Sequence, residues 1–370
     1  MSIDIMPRLP FLLSRLIPLL GLSLSLTAGD PMPVQMTGLG DPITISSAFA
    51  GFNNQTGGIP NPWQQAARRD AIAAAAPASL RIPGGTISTY WDMRNDQVFR
   101  AGPTPDAAQD IVLDEGFMIS WMRKMGHRPQ PNPLTDLADG LQVFADPADA
   151  PEFVFVTNIV TPGHDYYASR WNRPVDPTPL SDDWWAMLND RLERNFDAID
   201  RALALGLRIT RVELGNEFYF GISAEPYISG GQQFEQSEPH QPRVFSGPYI
   251  TGAFPSLGES YAYAANDWAA KIKARYPGVE VAGVGGDTTK PGQSDRRRQW
   301  NPHVVSKFDW DVIDAMTLHI YTPVPADLAE FSGAAKLGHW GAYWVKHWHE
   351  VKELSAIPDD TPIWLSEWDN

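Results

Sequence analysis

Short apolar or β-branched runs alternate with helix-like stretches along almost the whole chain, always in the same order. ITISSAFAGF (43–52) comes first. Asn61 and Pro62 then open an alanine-rich helix to about Ala76, since Asn caps and Pro fits the first turn. SLRIPGGT (79–86) precedes a helix expected near 105–126. FVFVTNIV (153–160) is an unbroken apolar run, as in a strand covered on both faces. Ser181 caps a long helix after it, to about Leu205. RITRVELGNE (208–217), VEVAGVGGD (279–287), AMTLHIYT (315–322) and PIWLSEWDN (362–370) continue the series. Helices are expected between them at about 258–275, near 302–308 and near 338–354.

Seven strand-helix units in one direction imply a parallel sheet with helices outside. A doubly wound sheet is possible, and a glycine-rich phosphate loop after the first strand would favour it. No GxGxxG or Walker loop is present, and Gly84-Gly85 lacks the spacing. The expected fold is therefore α/β, a (β/α)8 TIM barrel apparently lacking its eighth strand-helix unit. Such a barrel leaves two sheet edges open. The expectation is a domain truncated at its C-terminal end, or one closed by another segment. The Pro-rich stretches 129–151 and 171–180 read as excursions above the barrel.

A formal net charge of −15 makes the chain a poor general binder of nucleic acid or of anionic membrane. The absence of cysteine excludes disulfides, thiolate metal sites and a Cys nucleophile. Arg8 and Arg15 precede LIPLLGLSLSLTAG, which ends in small residues near Ala28 and Gly29. That is the layout of a secretory signal peptide over residues 1–29, with an uncleaved anchor as the alternative. The run is short for a membrane span and holds Pro18 and several serines. The expectation is a secreted or periplasmic domain over residues 30–370, with no transmembrane span after cleavage. Asn54-Gln55-Thr56 is a glycosylation sequon, meaningful only in a eukaryotic secretory pathway.

In barrels of this kind the working residues stand at the C-terminal ends of the strands. Those ends carry Arg81, Asn158, Asn216 with Glu217, His319 with Tyr321, and Glu367. Two glutamates thus end the fourth and seventh strands, where they can face each other across the mouth. Glycoside hydrolysis needs such a pair, one carboxyl protonated and one ionised. Two carboxylates brought close together divide those roles, because one of them keeps its proton. Either glutamate alone could equally be a salt-bridged rim residue. Together, at matching strand ends and flanked by aromatics, they point to catalysis. Tyr219 and Trp368 beside them, and Trp91 in TISTYWDMR (86–94), offer rings on which the C–H faces of sugars pack. The loop from 218 to about 257 holds further aromatics and reads as a wall of a cleft for an oligo- or polysaccharide.

Other motifs carry less. His347 and His349 in KHWHE sit two apart on a helix, so they point to different sides and do not form a zinc pair. DWDVID lacks the glycine and spacing of a calcium loop. Ser366 beside Glu367 has no GxSxG elbow. Arg296-Arg297-Arg298 reads as a solvated loop after the fifth strand, with an acidic sugar as its alternative partner. No cofactor and no metal are expected.

The residues at the strand ends resemble those of clan A glycoside hydrolases. ELGNE (213–217) resembles that clan's acid/base strand four, and WLSEW (364–368) its nucleophile strand seven. LHIYT (318–322) is similar to strand six, and LRIPGGT (80–86) to strand two of the arabinofuranosidase-like and heparanase-like branches. The resemblance covers roughly residues 43 to 370. It implies a retaining glycosidase with Glu217 as acid/base and Glu367 as nucleophile. It further implies that Asn216 bonds the sugar 2-hydroxyl, that Tyr321 donates to Glu367, and that His319 lines the subsite. Arg81 would bridge to the nucleophile or be paired structurally. Asn158 would touch substrate or cap a strand end. A non-catalytic carbohydrate-binding protein on the same barrel is the alternative. A polysaccharide lyase is a remoter one, which the paired glutamates disfavour.

Overall fold

The computed structural model describes residues 32–34, 43–45, 51–53, 62–84, 88, 91–92, 97–98, 100–101, 112–113, 130–131, 133–159, 164–176, 180–220, 257–286, 295–321, 347, 349–353 and 357–369. Seven strands form one parallel sheet: β1 (Gly51–Asn53), β2 (Ser79–Ile82), β3 (Glu152–Val156), β4 (Ile209–Glu213), β5 (Glu280–Val284), β6 (Ala315–Tyr321) and β7 (Ile363–Asp369). Their order in the sheet follows their order in the chain without exception. Helices occupy the crossovers: α1 (Ala66–Ala75), α2 (Pro133–Gly140), α3 (His164–Trp171), α4 (Asp182–Ala204), α5 (Leu257–Arg275) and α6 (Asp295–Val305). Residues 349–353, before β7, are also helical.

The sheet is curled, and side-chain contacts prove it. Neighbouring strands lie about 4.8 Å apart, so strands three places apart in a flat sheet would be about 14 Å apart. Ser366 on β7 nevertheless hydrogen-bonds Glu213 on β4 at 3.1 Å. Arg211 of β4 likewise has its guanidinium 5.9 Å from the Trp364 ring of β7. These bonds run through the interior of a barrel with seven of its eight staves.

The outer layer follows from helix patterning. In α4 the buried Trp184, Leu188, Leu192, Phe196 and Ile199 recur every three or four residues and cover the sheet. Ser181 Oγ accepts from the Trp184 amide at 3.1 Å, and Asp182 and Asp183 oppose the positive helix end. On α5, Tyr261 joins two strand ends. Its hydroxyl donates to the Leu214 carbonyl and accepts from the Val284 amide, both at 2.8 Å. Tyr261→Phe strips partners from both backbone groups in a fully buried place. It is expected to cost about 1–3 kcal/mol, read as a lower urea midpoint at unchanged m-value.

Several expectations change. The barrel's first strand is 51–53, whereas Ile43–Ile45 pairs antiparallel with Met32–Val34 in a separate two-stranded sheet. β-Branched residues suit a hairpin edge as well as a barrel stave, so composition did not separate them. The first helix starts at Ala66, preceded by a 3₁₀ turn at Pro62–Gln64. Val112–Leu113, inside the helix expected at 105–126, is a short strand, and most of that span lies outside the described residues. The excursion at 129–151 contains α2, with Pro133 at its first turn, and 171–180 follows the end of α3. The helix expected near 302–308 starts at Asp295, ends at Val305 and runs through Pro302. It also includes Arg296-Arg297-Arg298, so these stand on a helix and not in a loop. The aromatic loop expected to 257 lies beyond 220 outside the described residues.

Candidate active site

β4 delivers the site through a tight turn. Gly215 has φ +97°, and a Cβ there would fall 1.9 Å from the Phe218 ring, so only glycine fits. Glu217 then adopts φ +50°, a left-handed conformation that costs a glutamate about 1–2 kcal/mol. Strain of this kind at a strand end is where functional sites store it. The turn aims Glu217 into the mouth with only part of its side chain exposed.

Two groups meet Glu217 on one oxygen. Tyr219 Oη donates to Oε1 at 3.0 Å, and His319 Nδ1 lies 3.0 Å from the same atom. Oε2 has no hydrogen bond among the described residues. Beside it, Asn216 accepts from Arg81 Nη2 at 2.8 Å through Oδ1. Asn216 Nδ2 is buried with no hydrogen-bond partner among the described residues. Buried donors are nearly always paired, so this amide is short of one acceptor.

Beneath Glu217 lies a second carboxylate, Glu213, fully buried. Arg81 Nε donates to its Oε2 at 2.6 Å, and Ser366 Oγ donates to its Oε1 at 3.1 Å. His319 Nε2 stands 3.1 Å from Ser366 Oγ and 3.6 Å from Glu213 Oε1. Burial alone would push the Glu213 carboxyl up. The Arg81 charge, the His319 ring and the Arg81 hydrogen bond outweigh it and bring the carboxyl from 4.5 down to about 2. A folded-state value below the unfolded one stabilises the fold above about pH 4.5. That contribution, about 3 kcal/mol, is lost as pH falls from there towards 2. Urea midpoints are expected to fall across that window, and less steeply in Glu213→Gln.

Arg81, Asn216, Glu217, Tyr219 and His319 are thus brought together from β2, β4 and β6. Tyr219 itself is buried against Trp300, ring centroids 6.4 Å apart. Asn158 ends β3, and Asn195 of α4 brackets its backbone, accepting from its amide at 2.9 Å and donating to its carbonyl at 3.0 Å. Glu367 lies on β7 with its Cα paired to that of His319, and Trp368 and Tyr321 extend the same ladder. The register slips by one residue between Leu318 and His319, so that Ser366 is the extra residue of β7 at this point of the ladder. The side chains of Tyr321, Glu367, Trp368 and Trp91 lie outside the described residues.

Glu213 and Ser366 were absent from the sequence-derived set. A signal for Glu213 exists: β4 alternates Ile209, Arg211, Glu213, so its inward face is charged and requires an inward cation such as Arg81. Nothing in the sequence alone marks the bulge that turns Ser366 inward.

No protein-family model matches the chain, and no curated protein does. Solved structures that are similar include a family 51 α-L-arabinofuranosidase from Bifidobacterium longum, 14% identical, covering 81% of this chain and 49% of that one at TM-score 0.39. An α-L-arabinofuranosidase from Thermotoga maritima is 16% identical, covering 77% and 44% at TM-score 0.40. The thermostable family 51 α-L-arabinofuranosidase from Thermotoga petrophila is 16% identical, covering 80% and 48% at TM-score 0.39. The chain spans about half the length of these proteins.

Proposed function

We propose that the chain is the barrel portion of a retaining glycoside hydrolase acting on an oligo- or polysaccharide. The observation that carries this reading is the carboxylate Glu217. It sits strained at the mouth, tethered by Oε1 to Tyr219 and His319, with Oε2 and the Asn216 amide both without a hydrogen bond among the described residues. In the first step Glu217 passes a proton to the leaving oxygen while Glu367 attacks the anomeric carbon, giving a glycosyl-enzyme. In the second, Glu217 takes a proton from water, which attacks that carbon and frees Glu367. The Asn216 amide supplies a donor for the sugar 2-hydroxyl. Arg81 orients Asn216 and holds Glu213 beneath it. The same reading has residues 1–29 removed on export.

A panel of aryl glycosides and plant-type polysaccharides tests it. Aryl alcohol or reducing-end release is expected from the parent protein and not from Glu217→Gln or Glu367→Gln. Binding of the same polysaccharides without any release would instead fit a carbohydrate-binding protein.

A further inference from the structure

His319 stands between two carboxylates, and the hydroxyl of Ser366 beside it bears on which nitrogen carries hydrogen. Arg81 holds Glu213 from one side at 2.6 Å. An ionised carboxylate only accepts, so the Ser366 hydroxyl must give its hydrogen to Glu213 Oε1. The Ser366 oxygen then has only lone pairs to offer His319 Nε2, 3.1 Å away. Nε2 must therefore carry a hydrogen, and the Glu213 charge 3.6 Å away favours the same arrangement. Nδ1 is left facing Glu217 Oε1 at 3.0 Å. We propose that Glu213 and Ser366 are positioning residues that lock His319 with its hydrogen on Nε2, so that Nδ1 is the nitrogen that exchanges a proton with Glu217. The reverse tautomer would turn the Ser366 hydrogen away from a buried anion. Glu217 and Nδ1 share one proton, held either as a carboxyl donating to a bare Nδ1 or as a carboxylate accepting from a protonated Nδ1. That proton is the one delivered to the leaving oxygen in the first step and recovered from water in the second, while Tyr219 donates to the same carboxylate oxygen.

The role assigned to Glu217 rests on the glycosidase reading, whereas the tautomer does not. ¹⁵N-labelled histidine therefore provides the test, with the His319 signals assigned by their loss in His319→Gln. Nε2 is expected to resonate as a protonated nitrogen from about pH 5 to 8 in the parent protein. Ser366→Ala, which removes one hydroxyl, is expected to give a mixture of tautomers. Glu213→Gln is expected to invert the pattern. Its carbonyl must face Arg81, so its NH₂ faces Ser366, turns the hydroxyl towards Nε2 and leaves the hydrogen on Nδ1. The proposal is overturned if the parent ring carries its hydrogen on Nδ1, or if both variants keep the parent pattern. In an active preparation, Ser366→Ala is also expected to lower kcat about tenfold with KM little changed, as for a loss felt in the transition state. An unchanged kcat would remove Glu217 from the relay. Correct tautomers in a protein that cleaves no glycoside would uphold the lock and defeat the glycosidase reading alone.

Discussion

Glu217→Gln is expected to lower kcat/KM about 10³-fold on glycosides with poor leaving groups, and far less on dinitrophenyl glycosides. General acid catalysis contributes about 10²–10⁴-fold, and a leaving group that departs as a stable anion needs no proton. Glutamine keeps an oxygen for Tyr219 and fills the same space, so the fold should survive with its unfolding midpoint little changed. That separates a chemical loss from a structural one. An equal loss on both substrate types would argue that Glu217 binds or shapes the site and does not deliver a proton.

Arg81→Met should unfold the protein more readily than any other single change at the site. Glu213 is fully buried, and its strongest partner is Arg81. Removing one member of a buried pair leaves an uncompensated charge and costs about 3–5 kcal/mol. At about 1–2 °C per kcal/mol for a domain of more than 300 residues, the thermal midpoint falls by roughly 3–10 °C. Arg81→Met with Glu213→Leu removes both charges and is expected to recover most of that loss, since apolar replacements of whole buried pairs are often neutral or better. The double variant is still expected to be impaired in catalysis, because Asn216 Oδ1 loses its Arg81 donor and the Ser366–His319 contact loses its anion.

The repeat of strand and helix was legible because buried parallel strands read as apolar runs and their helices carry caps. Ser181 and the acidic first turn of α4 are an example, and that helix lies within a residue of its expected limits at each end. Strand-end residues were legible for the same reason: knowing where β4 stops puts Asn216 and Glu217 at the mouth. Local chemistry misled elsewhere. The helix expected near 302–308 begins earlier, at Asp295, with Pro302 inside it, while Pro133, a real helix start, was hidden in a Pro-rich stretch. The Glu213–Ser366–His319 chain depends on a bulge in β7 and on the curl of the sheet, which join residues 153 positions apart. Such contacts have no local sequence signature.

The central claim is that Glu217 and Glu367 act as a pair across the barrel mouth. The separation of their carboxylate oxygens in a crystal of the protein tests it most directly. The account predicts roughly 5–5.5 Å, the spacing of a retaining double displacement. A separation of roughly 6.5–9.5 Å would make the enzyme inverting, and a larger one would leave Glu217 without a catalytic partner; either contradicts the account.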